Sequence, residues 1–207
     1  MKAIRTQKLL IKMKLSAQFL FVLSSFLTCA SGPGQLIWPG DTDASFQPGS
    51  RFPIEGEAYT VARLGHNQLI VGGCLEFYVE PNVGSGLAML TTNGVPLKAP
   101  FFEISDYYGS SKGGCVFATA VQPDGKVVIA GTFVRVNGVA RTNIARLNPD
   151  GTVDSAFAPV ITYADPVLGP SAAVFSVTIL EDGKILVGGG FDRVNGIVRN
   201  NLARLNP

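Results

Sequence analysis

Three arginines of this 207-residue chain recur at a spacing of 58: Arg135 with Arg193, Arg141 with Arg199, and Arg146 with Arg204. A guanidinium presents its N–H donors in a planar fork, so a row of arginines on one face could grip carboxylates or anionic glycans bidentately. The same repetition suits a bracket that bonds turn carbonyls, or an aspartate such as Asp124 or Asp182 of its own or the next unit. The bracket is the favoured reading, because a role kept in every well-preserved copy is a structural one. Met89 stands where an earlier, degenerate copy would carry the equivalent of Arg146.

Other chemistry-bearing residues are sparse. His66 is the single histidine, which excludes a multi-histidine metal site, and it occupies the place of the turn residue Asp124 in the next copy. A serine-hydrolase triad would need that one histidine, and no Gly-x-Ser-x-Gly elbow occurs; Gly84-Ser85-Gly86 reads as loop. Asn148, Asp150 and Asp154 space their oxygens loosely like a calcium loop, as do Asp41 and Asp43. Calcium wants six to eight oxygens, however, and Pro149-Asp150-Gly151 explains the same residues as a turn. The carboxylates that break the repeat, Glu76, Glu80, Glu103 and Asp106, could serve as a general acid and base if a cleft gathered them, which keeps a carbohydrate-active enzyme open as an alternative. Solvated loops are the simpler reading. No residue is assigned to catalysis, to a metal or to a cofactor.

The elements that carry these residues form a tandem repeat. Residues 117–149 return as 175–207 without a gap, and residues 59–75 are a degenerate version 58 positions earlier. Leu87-Ala-Met-Leu90 echoes Ile144-Ala-Arg-Leu147 with a slip of one. Within a unit, residues 116–122 and 126–133 are β-rich runs about Pro123-Asp124-Gly125, a turn in which Pro presets φ and Gly takes the left-handed position. The run Val127-Val-Ile-Ala130 scarcely alternates, which predicts a central strand buried on both faces, with Gly73, Gly131 and Gly189 marking close backbone approach. Asn137-Gly138 predicts another tight turn, residues 143–148 a third strand, and residues up to Phe157 a short fourth. Four short strands in tandem predict an all-β, propeller-like array of about 58-residue units, against an open solenoid as competitor.

The division expected is a leader at 1–30, a lead segment at 31–58 holding a repeat's closing piece at 40–46, a degenerate repeat at 59–116, a second at 117–174 and a truncated third at 175–207. The propeller would then be incomplete, or closed by the 40–46 piece on the last unit. Lys2, Arg5, Lys8, Lys12 and Lys14 precede an apolar run at 15–27 whose length fits an export signal, with cleavage near Cys29 and Ala30. That run is shorter than the ~20 residues that span a bilayer. The leader holds five positive charges and no acid, so the remainder of a chain with formal charge +2 is mildly acidic. No basic, aromatic-laced face exists for nucleic acid. Outside the leader two cysteines remain, Cys74 and Cys115, in adjacent repeats, and an oxidising compartment permits their bridge without requiring it. Composition agrees with short strands and tight turns: 24 Gly and 13 Pro with only 15% charged residues.

The unit at 121–157, with Val-Gln-Pro-Asp-Gly-Lys, Ala-Gly-Thr-Phe, Val-Asn-Gly and Ile-Ala-Arg-Leu-Asn-Pro-Asp-Gly-Thr-Val-Asp-Ser-Ala-Phe, resembles the delta-60 repeat family. The resemblance covers about residues 40–207 and is specific in the second and third units. It implies a β-propeller-like fold and a bacterial secreted or surface protein, and it carries no well-established activity. The function expected is a non-enzymatic extracellular binding or scaffold module that presents loops to protein or polysaccharide.

Overall fold

The computed structural model describes residues 45–46, 54–79, 82–97, 102–105, 114–163 and 172–207, all within one compact unit, Ala44–Pro207. The leader and the 40–44 stretch lie outside the described residues. Each repeat contributes one antiparallel meander. The first comprises β1 (Ile54–Leu64), β2 (Gln68–Val79) and β3 (Asn82–Thr91). After β4 (Ile104–Ser105) come β5 (Cys115–Val121) and β6 (Val127–Thr132), then the ribbon β7 (Arg135–Val136) and β8 (Val139–Ala140), then β9 (Ile144–Leu147). The third repeat follows the same plan with β10 (Ile161–Thr162), β11 (Ala173–Ile179), β12 (Ile185–Gly190), β13 (Arg193–Val194), β14 (Ile197–Val198) and β15 (Leu202–Leu205).

The sheets are β1-β2-β3, β5-β6-β9 and β11-β12-β15. The expected fourth strand is reduced to a single bridge, Leu147 to Val153, on the outer side of β9. The Asn-Gly ribbons recruit a third strand from the preceding connection, giving β4-β7-β8 and β10-β13-β14. Asn137 and Asn195 make that possible. Both sit at positive φ, 50° and 51°, a conformation asparagine tolerates better than most residues. Their Oδ1 atoms accept the backbone N–H of Glu103 at 2.9 Å and of Val160 at 2.8 Å. Each Val-Asn-Gly therefore pins its repeat to the connection before it. The slip of one in the first repeat is also real, since Met89 pairs with Ile70 as Arg146 pairs with Val128.

The central strands explain why the array is layered. Val127 and Ile129 join Ile70, Leu87 and Met89 in the core between the first two sheets, while Val128, Ala130 and Ile144 join Val174, Ile185 and Val187 in the core between the second and third. A strand buried on both faces has no polar side to show, so alternation vanishes from its sequence. The described sheets stack without closing into a ring.

Gly131 lies opposite a β-bulge between Val116 and Ala118, and a Cβ there would overlap the Cys115 carbonyl oxygen. Gly73 and Gly189 face the Glu57 and Ala173 carbonyls in the same way. The extra residue in each bulge is aromatic: Tyr59, Phe117 and Phe175. Gly84-Ser85-Gly86 is not loop. It lies within β3, where Ser85 is buried and its hydroxyl bonds the Ile104 carbonyl at 3.0 Å, because the degenerate first repeat extends its strands past the glycine pair and pairs Glu76 with Ser85.

Cys74 and Cys115 form a disulfide with Cα atoms 4.4 Å apart, tying β2 of the first repeat to β5 of the second across 41 residues. Closing a loop of that length in the unfolded chain stabilises the fold by about 4 kcal/mol in the chain-entropy account. Cys74→Ser with Cys115→Ser should lower the unfolding free energy by roughly that amount, with the urea midpoint as readout. A change of a few tenths of a kcal/mol would mean that the first sheet is held to the second by packing alone.

Candidate functional site

The polar cluster with the most developed geometry surrounds Asp154, just past the Pro-Asp-Gly turn that follows β9. Gly151 has positive φ, 85°, and Asp150 Oδ1 accepts the Thr152 N–H at 2.9 Å and the Thr152 hydroxyl at 2.7 Å. Those two bonds hold the Asp150 carboxyl below its ordinary range. The turn throws the chain back along β9, so the Asp154 N–H reaches the Arg146 carbonyl at 2.8 Å. The Asp154 side chain then lands, buried, beneath two cations.

Its Oδ2 accepts from Lys126 Nζ at 2.9 Å and from Arg146 Nε at 2.9 Å, and its Oδ1 accepts the Ala156 N–H at 3.0 Å. Lys126, then Ala156 and Arg146, lower its pKa to about 2 against the opposing effect of burial. Arg146, itself buried, also donates to Gln122 Oε1 at 3.4 Å and lies 4.6 Å from the centroid of the Phe157 ring. Arg141 donates to the backbone carbonyls of Ala140, Asp154 and Ser155. Arg141 and Arg146 are thus the brackets that the repetition suggested, and the aspartate they hold is Asp154, not Asp124. Asp124 instead caps its own turn by accepting the Lys126 N–H. Arg135 and Arg193 are brackets of shorter reach, bonding the carbonyls of Gly138 and Gly196.

In the third repeat the corresponding arginines are Arg199 and Arg204. A groove of about 470 Å³ runs between residues 156–159 and the stretch from Val194 to the C-terminal residues, and Asn195, Arg199, Ala203, Arg204 and Leu205 are among the side chains that line it. Arg199 donates to its neighbour's carbonyl, that of Val198, at 2.8 Å, and Arg204 is exposed. Lys184, the counterpart of Lys126, pairs with Asp182 in its own turn.

The oxygens spaced like a calcium loop are engaged by the turn and by the two cations. Among the described residues, no group of three or more His, Cys, Asp or Glu side chains could hold a metal. His66 lies exposed in the turn joining β1 to β2, where its carbonyl accepts from Arg63. Glu76 sits on β2 opposite Glu55 and Ser85, and Glu103 is exposed beside β4; Glu80 and Asp106 lie outside the described residues. The groove itself was not legible in the sequence, because it arises from how one unit's connection meets the next unit's last strand. The paired arginines were its only trace.

Asp154→Asn would leave Arg146 buried against a neutral amide and should cost about 3–5 kcal/mol of stability. The pH dependence carries a definite sign. Asp154 is depressed from 3.8 to about 2 on folding, so its contribution is complete above pH 3.8 and drains away as pH falls towards 2. The acid limb of a thermal-stability profile should therefore be shallower in Asp154→Asn than in the parent. Parallel limbs would show that the carboxylate is not a pinned charge.

No curated protein and no solved structure matches the chain. Residues 122–157 and 180–207 match the family described as a domain of unknown function (DUF5122) beta-propeller, a similarity that agrees with the all-β array of small antiparallel sheets.

Proposed function

We propose that this protein is a secreted or cell-surface bacterial module of the delta-60 type, exported by residues 1–30, which binds or scaffolds without catalysis by presenting loops to protein or polysaccharide. One observation carries the reading: propeller-like repeats, matched at 122–157 and 180–207 by a beta-propeller family model, carry the same arginine pair in each well-kept unit. The second repeat supplies the chemical precedent. There the equivalent pair, Arg141 and Arg146, holds an extended segment by a backbone carbonyl and a carboxylate. The repeated pair, Arg199 with Arg204, suits a carboxylate-bearing chain, a uronic-acid polysaccharide or an acidic peptide, since guanidinium forks bind carboxylates with charge-assisted bonds.

The test is affinity for a polyuronate compared with an uncharged polysaccharide of similar length, and for an Asp-rich peptide. The carboxylated ligands should bind preferentially. Arg199→Gln with Arg204→Gln should weaken that binding by about tenfold or more, as expected when bonds to a charged group are lost. Equal affinity of parent and double variant, or no preference for carboxylates, would sink the proposal.

A further inference from the structure

The chain holds three Asn-Gly pairs, at Asn93, Asn137 and Asn195, and an asparagine before glycine carries a latent reaction. The glycine nitrogen can attack the side-chain amide carbon of the asparagine, since glycine has no Cβ to block the approach. Local geometry decides whether it does, because the two atoms must come into contact for the ring to close.

Two of the pairs are locked. Asn137 and Asn195 sit at positive φ, and their Oδ1 atoms are held by the backbone N–H of Glu103 at 2.9 Å and of Val160 at 2.8 Å. Their own N–H groups bond the carbonyls of the same two residues, each at 2.8 Å. The amide carbon is thereby held toward the preceding connection, and swinging it over the Gly138 or Gly196 nitrogen would break the pin.

Asn93 stands apart. It is exposed in the turn after β3 and lies outside the left-handed region. The Val95 N–H, which an acceptor at position 93 would cap, is taken by the Thr91 hydroxyl at 3.1 Å, so nothing among the described residues holds the Asn93 amide. The turn is nevertheless that of Pro149-Asp150-Gly151, displaced by the slip of one. Gly94 donates to the Thr91 carbonyl at 2.9 Å as Gly151 donates to that of Asn148 at 2.8 Å, and the bridge from Leu90 to Pro96 matches that from Leu147 to Val153. Leu97 donates to the Met89 carbonyl at 2.8 Å as Asp154 does to that of Arg146. Asn93 thus occupies the place of Asp150, whose carboxylate accepts the Thr152 N–H.

We infer that Asn93 is a site of spontaneous deamidation, and that its aspartyl product gives the first repeat the turn carboxylate that the second holds at Asp150. When the bond from Gly94 to Thr91 opens, a base takes the Gly94 N–H proton, the nitrogen bonds Asn93 Cγ, and Nδ2 leaves as ammonia, which closes a succinimide. Water then opens the ring. Cleavage between the Gly94 nitrogen and Cγ gives aspartate, free to accept the Val95 N–H. Cleavage between that nitrogen and the Asn93 carbonyl carbon gives isoaspartate, whose main chain runs through Cγ and is longer by a methylene. The longer chain spoils the turn and shifts Leu97, which packs on the core between the first two sheets. Neither Arg199 nor Arg204 takes part, so the inference goes beyond the carboxylate-binding reading and does not rest on it.

Peptide mapping by mass spectrometry tests this on the purified chain held folded in mildly alkaline buffer, with electron-transfer fragmentation separating aspartate from isoaspartate. Asn93 should convert faster than Asn137 or Asn195 by about tenfold or more, the factor set by the hydrogen bond that each pinned site must lose. In concentrated urea, where turns and pins are gone, the rates at all of these sites should converge. Asn93→Asp should melt no lower than the parent at neutral pH, as a carboxylate that caps Val95 requires. Equal rates in the folded chain, a slower rate at Asn93, or a difference that persists in urea would overturn the site. A lower melting temperature for Asn93→Asp would overturn its likeness to Asp150. None of those outcomes touches polyuronate binding.

Discussion

Burial of one thin sheet on both faces is the constraint from which the rest of this fold follows. A three-stranded meander is too small to hold a core of its own, and its central strand shows apolar side chains to both sides. It is stable only between neighbours. Several repeated features of the unit either let sheets approach or join one sheet to the next. Gly131 and its equivalents remove the Cβ that would strike a carbonyl opposite the bulge. Asn137 and Asn195 tie each ribbon to the preceding connection, and the Cys74–Cys115 disulfide ties the degenerate first sheet to the second.

The Asp154 cluster shows how a long outer connection is held against such a stack. The chain after β9 makes only one bridge to it, far less than a strand needs for its own stability. A carboxylate shared by Lys126 and Arg146, with Phe157 beside the guanidinium, replaces the missing ladder. Burying such a cluster is costly, and a well-packed apolar substitute could be as stable. What the ions add is register: only one placement of the connection puts a carboxylate beneath both cations and a carbonyl beneath Arg141. The cluster therefore places residues 156–159, and these form one wall of the groove in the next repeat.

Much of this was legible from residue types because the repeat supplies its own comparison. The hairpin about Pro123-Asp124-Gly125, the doubly buried run at 127–130, the close approach at Gly131 and the bracket role of Arg141 and Arg146 each follow from local chemistry repeated at a constant offset. The fourth strand was overestimated because Thr152 and Val153 suit a strand, whereas the ion cluster, which is tertiary, turns the chain away after one bridge. Ser85 was misplaced because flanking glycines are loop signals in isolation. In β3 its burial, and the hydroxyl bond to Ile104, override them. The partner of Arg146 was also out of reach, since Asp124 and Asp154 are equally plausible in sequence and only the return of the chain along β9 selects the second.

The same logic separates what the well-kept repeats share from what distinguishes them. Two units with the same residues at Arg141 and Arg199, and at Arg146 and Arg204, place those residues in different surroundings. In the second unit the pair holds the side chain and backbone of Asp154. Function in a repeat array need not arise from residues unique to one copy. An arginine built to hold a carboxylate carries the same forked donors and the same charge in every unit that repeats it.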